Sequence, residues 1–146
     1  MPTADCLQTT FEIRTSGPGL YMFTGEVARW LRAGGAQSGL LTLFVRHTSC
    51  SLLIQENADP DVQKDLKAYF ERLVPPADHP SMSYLVHTLE GPDDMPAHIK
   101  AALLPVSLQI PVSNSQMRLG TWQGIYLFEH RTRPHAREVA ALFMGG

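Results

Sequence analysis

Three histidines, His47, His87 and His98, are the side chains best suited to chemistry in this chain, and each stands within reach of carboxylates along the sequence. His47 closes an apolar run, where a rigid strand end can aim an imidazole into a cleft rather than into solvent. Glu56 and Asn57 follow it, and Asp61 and Asp65 fall one turn apart on a helix face. His87 and His98 flank the acidic loop Glu90-Gly91-Pro92-Asp93-Asp94, a spacing that can bring two imidazoles together across one loop. Three nitrogens with an open fourth position are what a catalytic divalent metal, zinc or magnesium, would use. General acid and base work by His or Glu is equally compatible with these residue types.

Two further groups qualify as candidates. Gly120-Thr121-Trp122-Gln123-Gly124 places two glycines around an indole and an amide, which suits a bulge or a close backbone approach beside a ring-shaped ligand. Trp122 as core filler fits equally well. His130, Arg131, Arg133, His135 and Arg137 could hold a phosphate or carboxylate through the forked donors of arginine. A solvated hairpin turn is the preferred reading for all of these but Arg137. Cys6 and Cys50 are too few for a disulfide framework, and Cys50 reads as a small apolar side chain on a strand.

These residues need a scaffold, and the pattern of the chain supplies one. Leu7 to Thr15 is rich in β-branched and aromatic residues and ends at the turn cluster Ser16-Gly17-Pro18-Gly19. Thr24 is placed to cap a short helix carrying Val27, Trp30 and Leu31 on one face, stopped by Gly34-Gly35. Gly39 to Arg46 is a continuous apolar run, as expected of a strand covered on both faces. Ser51 to Gln55 is a further strand. Asp59 as N-cap and Pro60 at N1 then open a helix with Val62, Leu66, Tyr69, Phe70 and Leu73 at helical spacing. Met82 to Thr88 reads as a strand, residues 96 to 104 as a helix, and Ser107 to Val112, Met117 to Glu129 and Ala136 to Met144 as three successive strands. The expected fold is a single α+β domain with a mixed, mostly antiparallel sheet or sandwich and segregated helices.

Composition narrows the function. A net charge of -2 gives no basic footprint for nucleic acid. Met1 to Cys6 lacks a basic start followed by an apolar stretch, and no apolar run approaches membrane-helix length, so a cytoplasmic, soluble protein without a membrane partner is expected. Charged residues make up 18%, against roughly 25% in an average soluble domain, which leaves room for a subunit interface. No G-x-G-x-x-G or Walker-type motif occurs.

Taken together, His47-Thr-Ser-Cys-Ser-Leu-Leu-Ile-Gln-Glu-Asn57, the stretch from Asp59 to Asp65, Glu90 to His98, and Leu119-Gly-Thr-Trp-Gln-Gly-Ile125 resemble the YjbQ family, also called UPF0047. The resemblance spans nearly the whole chain. It implies a homotrimeric α+β protein with a secondary thiamine-phosphate synthase activity, joining a hydroxymethylpyrimidine diphosphate to a thiazole phosphate. Carried over onto this sequence, it implies His47, Glu56, Asp65, His87, His98, Gln123 and Arg137 as catalytic residues, with His47, His87 and His98 binding metal or leaving-group oxygens. Thr48 also matches the family motif, and Ser49, Asn57, Asp94, Gly120, Trp122 and Glu129 are implied at the substrate, a small phosphorylated metabolite. A metal-dependent small-molecule hydrolase and a non-catalytic trimeric metabolite-binding protein are the alternatives. Two departures stand out: Ser115 replaces a turn glycine, where Asn114 could accept positive φ, and Pro134-His135 stands before Arg137.

Overall fold

The computed structural model describes residues 5–146; residues 1–4, where the leader reading above falls, lie outside the described residues. Two antiparallel sheets face each other. The larger, in the order β1-β8-β3-β5-β6, comprises β1 (Cys6–Thr15), β3 (Gly39–Val45), β5 (Ser107–Ser113), β6 (Gln116–Met117) and β8 (His135–Gly145). The smaller, in the order β2-β7-β4, comprises β2 (Gly19–Met22), β4 (Cys50–Glu56) and β7 (Gln123–Glu129). Helices α1 (Thr24–Ala33), α2 (Pro60–Leu73) and α3 (Asp94–Leu103) complete the fold, so the α+β class with antiparallel sheets and segregated helices holds.

Side-chain alternation explains how the layers close. Leu41, Leu43 and Val45 of β3 and Val139, Ala141 and Phe143 of β8 point inward, where they meet Leu52, Ile125 and Leu127 of the smaller sheet and Val27 and Leu31 of α1 in one buried cluster. The intervening residues of β3, Leu40 and Phe44, are open, 39% and 50% exposed. The expectation of a strand covered on both faces therefore fails for β3 within a single chain. It holds for β7 instead, which is central in its sheet and buried from Gly124 to Glu129. Phe70 of α2 covers its outer side, edge-on to Phe128.

Local signals explain where helices start and stop. The Asp59 carboxylate accepts the Asp61 N–H and Pro60 sits in the first turn, a cap that stabilises a helix by about 1 kcal/mol. Thr24 does not cap α1: it is the first helical residue, and its hydroxyl accepts the Ile125 N–H, tying the helix to β7. The strand expected over residues 82–88 is absent. The His79 ring accepts the Ser81 N–H and fixes a 3₁₀ turn over Pro80–Met82, after which Tyr84, Val86 and Leu89 run exposed with no edge to pair with. The long strand expected from Met117 is divided between β6 in the larger sheet and β7 in the smaller, the chain crossing between sheets around Gly120. The departure at Ser115 leaves the β5–β6 turn intact, with Asn114 at φ 52° and Ser115 at φ 64°. Among the described residues no helix is long and apolar enough to cross a membrane.

Candidate functional site

The N-terminus of α3 and the loop before it bring His87, Asp94 and His98 together. Asp94 and His98 share a helix face at i and i+4, and the extended segment after the 3₁₀ turn carries His87 onto the same carboxylate. His87 Nε2 lies 2.7 Å and His98 Nε2 3.2 Å from Asp94 Oδ2, while Arg131 Nη1 lies 2.7 Å from Oδ1. Glu90 adds a second carboxylate 3.0 Å from His87 Nε2. One donor atom from each of His87, Asp94 and His98 falls within 4.8 Å of the others, a spacing that could hold a divalent ion.

Tautomers sharpen this geometry. The ring Nδ1 of His98 is 2.9 Å from the Thr48 carbonyl, so it must carry the proton it donates there. In the neutral ring, Nε2 is then a lone pair facing the Asp94 carboxylate, and two acceptors at that distance require a cation between them, either a proton or a metal. Outer hydrogen bonds of this type, imidazole N–H to a backbone carbonyl, orient metal-binding histidines. Electrostatics agree. Burial opposes the charge on Asp94, but the His87 hydrogen bond and the charges of His98 and Arg131 together hold its carboxyl below the usual range. The same hydrogen bond, donated by His87 to Asp94, leads the causes that raise the His87 pKa. Neighbouring Asp93 is also disfavoured by burial, yet hydrogen bonds from Arg131 and Thr132 bring it down to about 2.

A cleft of about 600 Å³ borders this cluster, lined by Leu89, Glu90, Gly91, Arg131, Arg133 and His135. Arg131, expected in a solvated turn, is only 17% exposed and bridges Asp93 and Asp94. The signal for it was the pairing of two adjacent aspartates with an arginine just beyond a buried strand.

The other expected residues lie elsewhere. His47 is not part of the three-donor group; its Nε2 accepts the Glu138 N–H at 2.7 Å, so the three-imidazole set becomes two imidazoles and Asp94. Burial first, then Arg137, lowers the His47 pKa. Ser49 and Glu129, expected at substrate, and Arg137, expected to be catalytic, are buried between the sheets. Arg137 donates through Nε to Glu129 Oε1 at 2.8 Å and through Nη2 to Glu129 Oε2 and to the Ser49 hydroxyl. The remaining acceptor capacity of Glu129 is filled by the Thr15 hydroxyl and by the N–H groups of His130 and Arg131. Cys50 is fully buried and its thiol is pushed up to about 12 by burial, as befits an inert packing residue.

Glu56, Asn57, Gly120, Trp122 and Gln123 gather at the opposite end of the smaller sheet. Glu56 accepts the N–H groups of Ala58 and Asp59, and Asn57 Nδ2 donates to the carbonyls of Thr121 and Gln123. The Gln123 side chain accepts the Gly120 N–H, which explains the glycine-bracketed sequence as a closed turn. Trp122 is 63% exposed, so it is no core filler. Asp65 is exposed on α2. Cys50 pairs with Glu129 and Glu56 with Gln123 at the two ends of the β4–β7 ladder, roughly 20 Å apart along the strand. The expected residues therefore fall at two ends of the smaller sheet, and at one of those ends into an open and a buried cluster.

A five-stranded antiparallel sheet over a three-stranded one, with a His/Asp/Arg cluster at a helix start, defines a small α+β protein with a polar surface cleft. The family model described as "UPF0047 protein YjbQ-like" matches residues 9–146. A UPF0047 protein of Synechocystis sp. is 50% identical over 132 residues, covering 90% of this chain and 87% of its own length. The UPF0047 protein YjbQ of Salmonella typhimurium is 40% identical over 139 residues, covering 94% and 97%. A solved structure of an uncharacterized conserved protein of the YjbQ/UPF0047 family from Clostridium acetobutylicum superposes with a TM-score of 0.81 at 31% identity, covering 93% of this chain and 99% of that one. The chain belongs to the YjbQ/UPF0047 family.

Proposed function

We propose that this protein is a metal-assisted enzyme of small phosphorylated metabolites, with His87, Asp94 and His98 as ligands of a divalent cation. The observation that carries the reading is the pair of imidazole nitrogens directed at one carboxylate oxygen, one of them left as a lone pair by its bond to Thr48. Two imidazoles and one carboxylate suit zinc better than magnesium, which prefers oxygen ligands and retained water. A bound zinc ion supplies Lewis-acid stabilisation of leaving-group oxygens. Arg133, at the rim of the cleft, offers forked donors to a phosphate, while Arg131 holds Asp93 and Asp94 in place.

The reaction favoured is condensation of a hydroxymethylpyrimidine diphosphate with a thiazole phosphate. The methylene C–O bond to diphosphate breaks, a C–N bond to the thiazole nitrogen forms, and pyrophosphate leaves. Trp122, Gln123 and Asp65 would serve the ring of a substrate only if a second copy brings them to the histidine cluster. The open face of the larger sheet is the surface we propose for a homotrimer interface. On this face Leu40, Thr42 and Phe44 of β3 lie beside Ala140, Leu142 and Met144 of β8 and Gln8 and Thr10 of β1, with no ionised side chain among them. Replacing Phe44 with Glu is expected to yield monomers by light-scattering mass; an unchanged mass removes this face from the interface.

Incubating zinc-loaded protein with both substrates tests the chemistry. One pyrophosphate released per thiamine phosphate formed is the expected result. Pyrophosphate released without thiamine phosphate would instead identify a hydrolase, and tight binding without product would identify a metabolite-binding protein.

A further inference from the structure

A second cavity, of about 160 Å³, lies between α2, α3 and the start of the β7–β8 connection. Its walls are mostly apolar, including Pro18, Val74, Pro76 and Pro96, and two nitrogen-bearing side chains border it, Lys100 and His130. Lys100 is only 8% exposed, and although Glu71 and Asp93 act on its charge, among the described residues neither forms an ion pair with it. His130 is 3% exposed; its Nε2 meets the Ser51 hydroxyl at 2.9 Å, and its Nδ1 is buried without a partner. A lysine this enclosed without an ion pair and an unsatisfied buried ring nitrogen are each costly to keep unless something else completes them.

We propose that this cavity is a binding site for a short-chain monocarboxylate, whose carboxylate pairs with the Lys100 ammonium and accepts from His130 Nδ1–H while its alkyl part lies on the prolines. The volume is below that of sites for drug-sized ligands, which limits the occupant to a few carbons. Glu71 and Asp93 also line the cavity, and their carboxylates disfavour a phosphate dianion over a single negative charge. Burial brings His130 down to about 3, so the ring is neutral and a single Nδ1 proton is available when Nε2 accepts from Ser51. The cavity is separate from the His87–Asp94–His98 cluster, touching it only through Asp93 beside Asp94.

Titration of the full-length protein with n-butyrate, followed by the His130 ring resonances and by thermal unfolding, tests the assignment. Butyrate is expected to shift the His130 signals saturably and to raise the unfolding temperature. In Lys100→Met, which keeps the aliphatic stem and removes the unpaired charge, the affinity should fall ~tenfold or more with no loss of stability in the absence of butyrate. The wild-type response alone carries the test should the variant fold poorly. No saturable shift of His130, an equal response in Lys100→Met, or a Lys100-dependent response to inorganic phosphate in place of butyrate would each overturn the proposal.

Discussion

Two charged clusters sit less than one strand apart and behave differently. Glu129 and Arg137 are buried between the sheets, and the Glu129 carboxylate already accepts from Arg137, Thr15, His130 and Arg131 within the chain. His87, Asp94 and His98 open onto a cleft, with the two rings 45% and 32% exposed, and share one carboxylate oxygen between two nitrogens. The sealed cluster ties β7 to β8, and its carboxylate is fully engaged within the chain. The open cluster keeps two ring nitrogens on one carboxylate oxygen at the edge of solvent, an unsaturated arrangement of donors.

The largest effect that could break this contrast comes from the sealed side. Arg137→Ala leaves the Glu129 carboxylate buried and uncompensated, and is expected to cost ~3–5 kcal/mol in urea unfolding. A cost near that of an exposed substitution would mean that water reaches Glu129 and that the cluster is open after all.

Histidine titration sharpens the contrast next, because the two environments have opposite signs. His130 is depressed by burial from 6.5 to about 3, so between these values the unfolded chain binds a proton that the folded chain does not. Stability therefore falls as pH drops from 6.5 toward 3, and His130→Phe should flatten that slope in urea midpoints. His87 is raised from 6.5, chiefly by its hydrogen bond to Asp94, so its contribution is complete below that value and fades as pH rises above it. His87→Ala should remove the alkaline-side slope and leave the acid-side one intact.

A smaller effect belongs to neither cluster and calibrates the other two. Ser115 holds φ 64° in the β5–β6 turn, a conformation that costs a residue with a Cβ. Ser115→Gly is expected to stabilise the fold by about 1 kcal/mol in the same unfolding assay without altering metal content.

Much of the fold was legible because local rules and tertiary structure agree. The Asp59-Pro60 helix start, the Gly34-Gly35 stop and the alternation of β1 and β8 each follow from residue type. Failures came where a local pattern lacked a tertiary partner: Tyr84 and Val86 alternate like a strand, but no sheet edge meets them. The apolar run of β3 was overread for a related reason, since a face left open in one chain carries the same residues as a buried one. Two of the three candidate ligands were legible from the acidic loop between His87 and His98. His47 was not separable from them by spacing, because the Glu138 N–H that occupies its Nε2 is ninety-one residues away. His130 stood out only as a member of the arginine-rich turn and Lys100 not at all, since nothing in their spacing reveals a shared cavity.

Elemental analysis of purified protein after zinc loading and desalting, for the wild type, His47→Ala and His98→Ala side by side, tests the central claim most directly. Two imidazoles and Asp94 as the ligand set predict stoichiometric zinc in the wild type and in His47→Ala, and its loss in His98→Ala. Equal loss in both variants would restore His47 as a ligand, and a zinc-free wild type would show that a proton, not a metal, bridges His98 and Asp94.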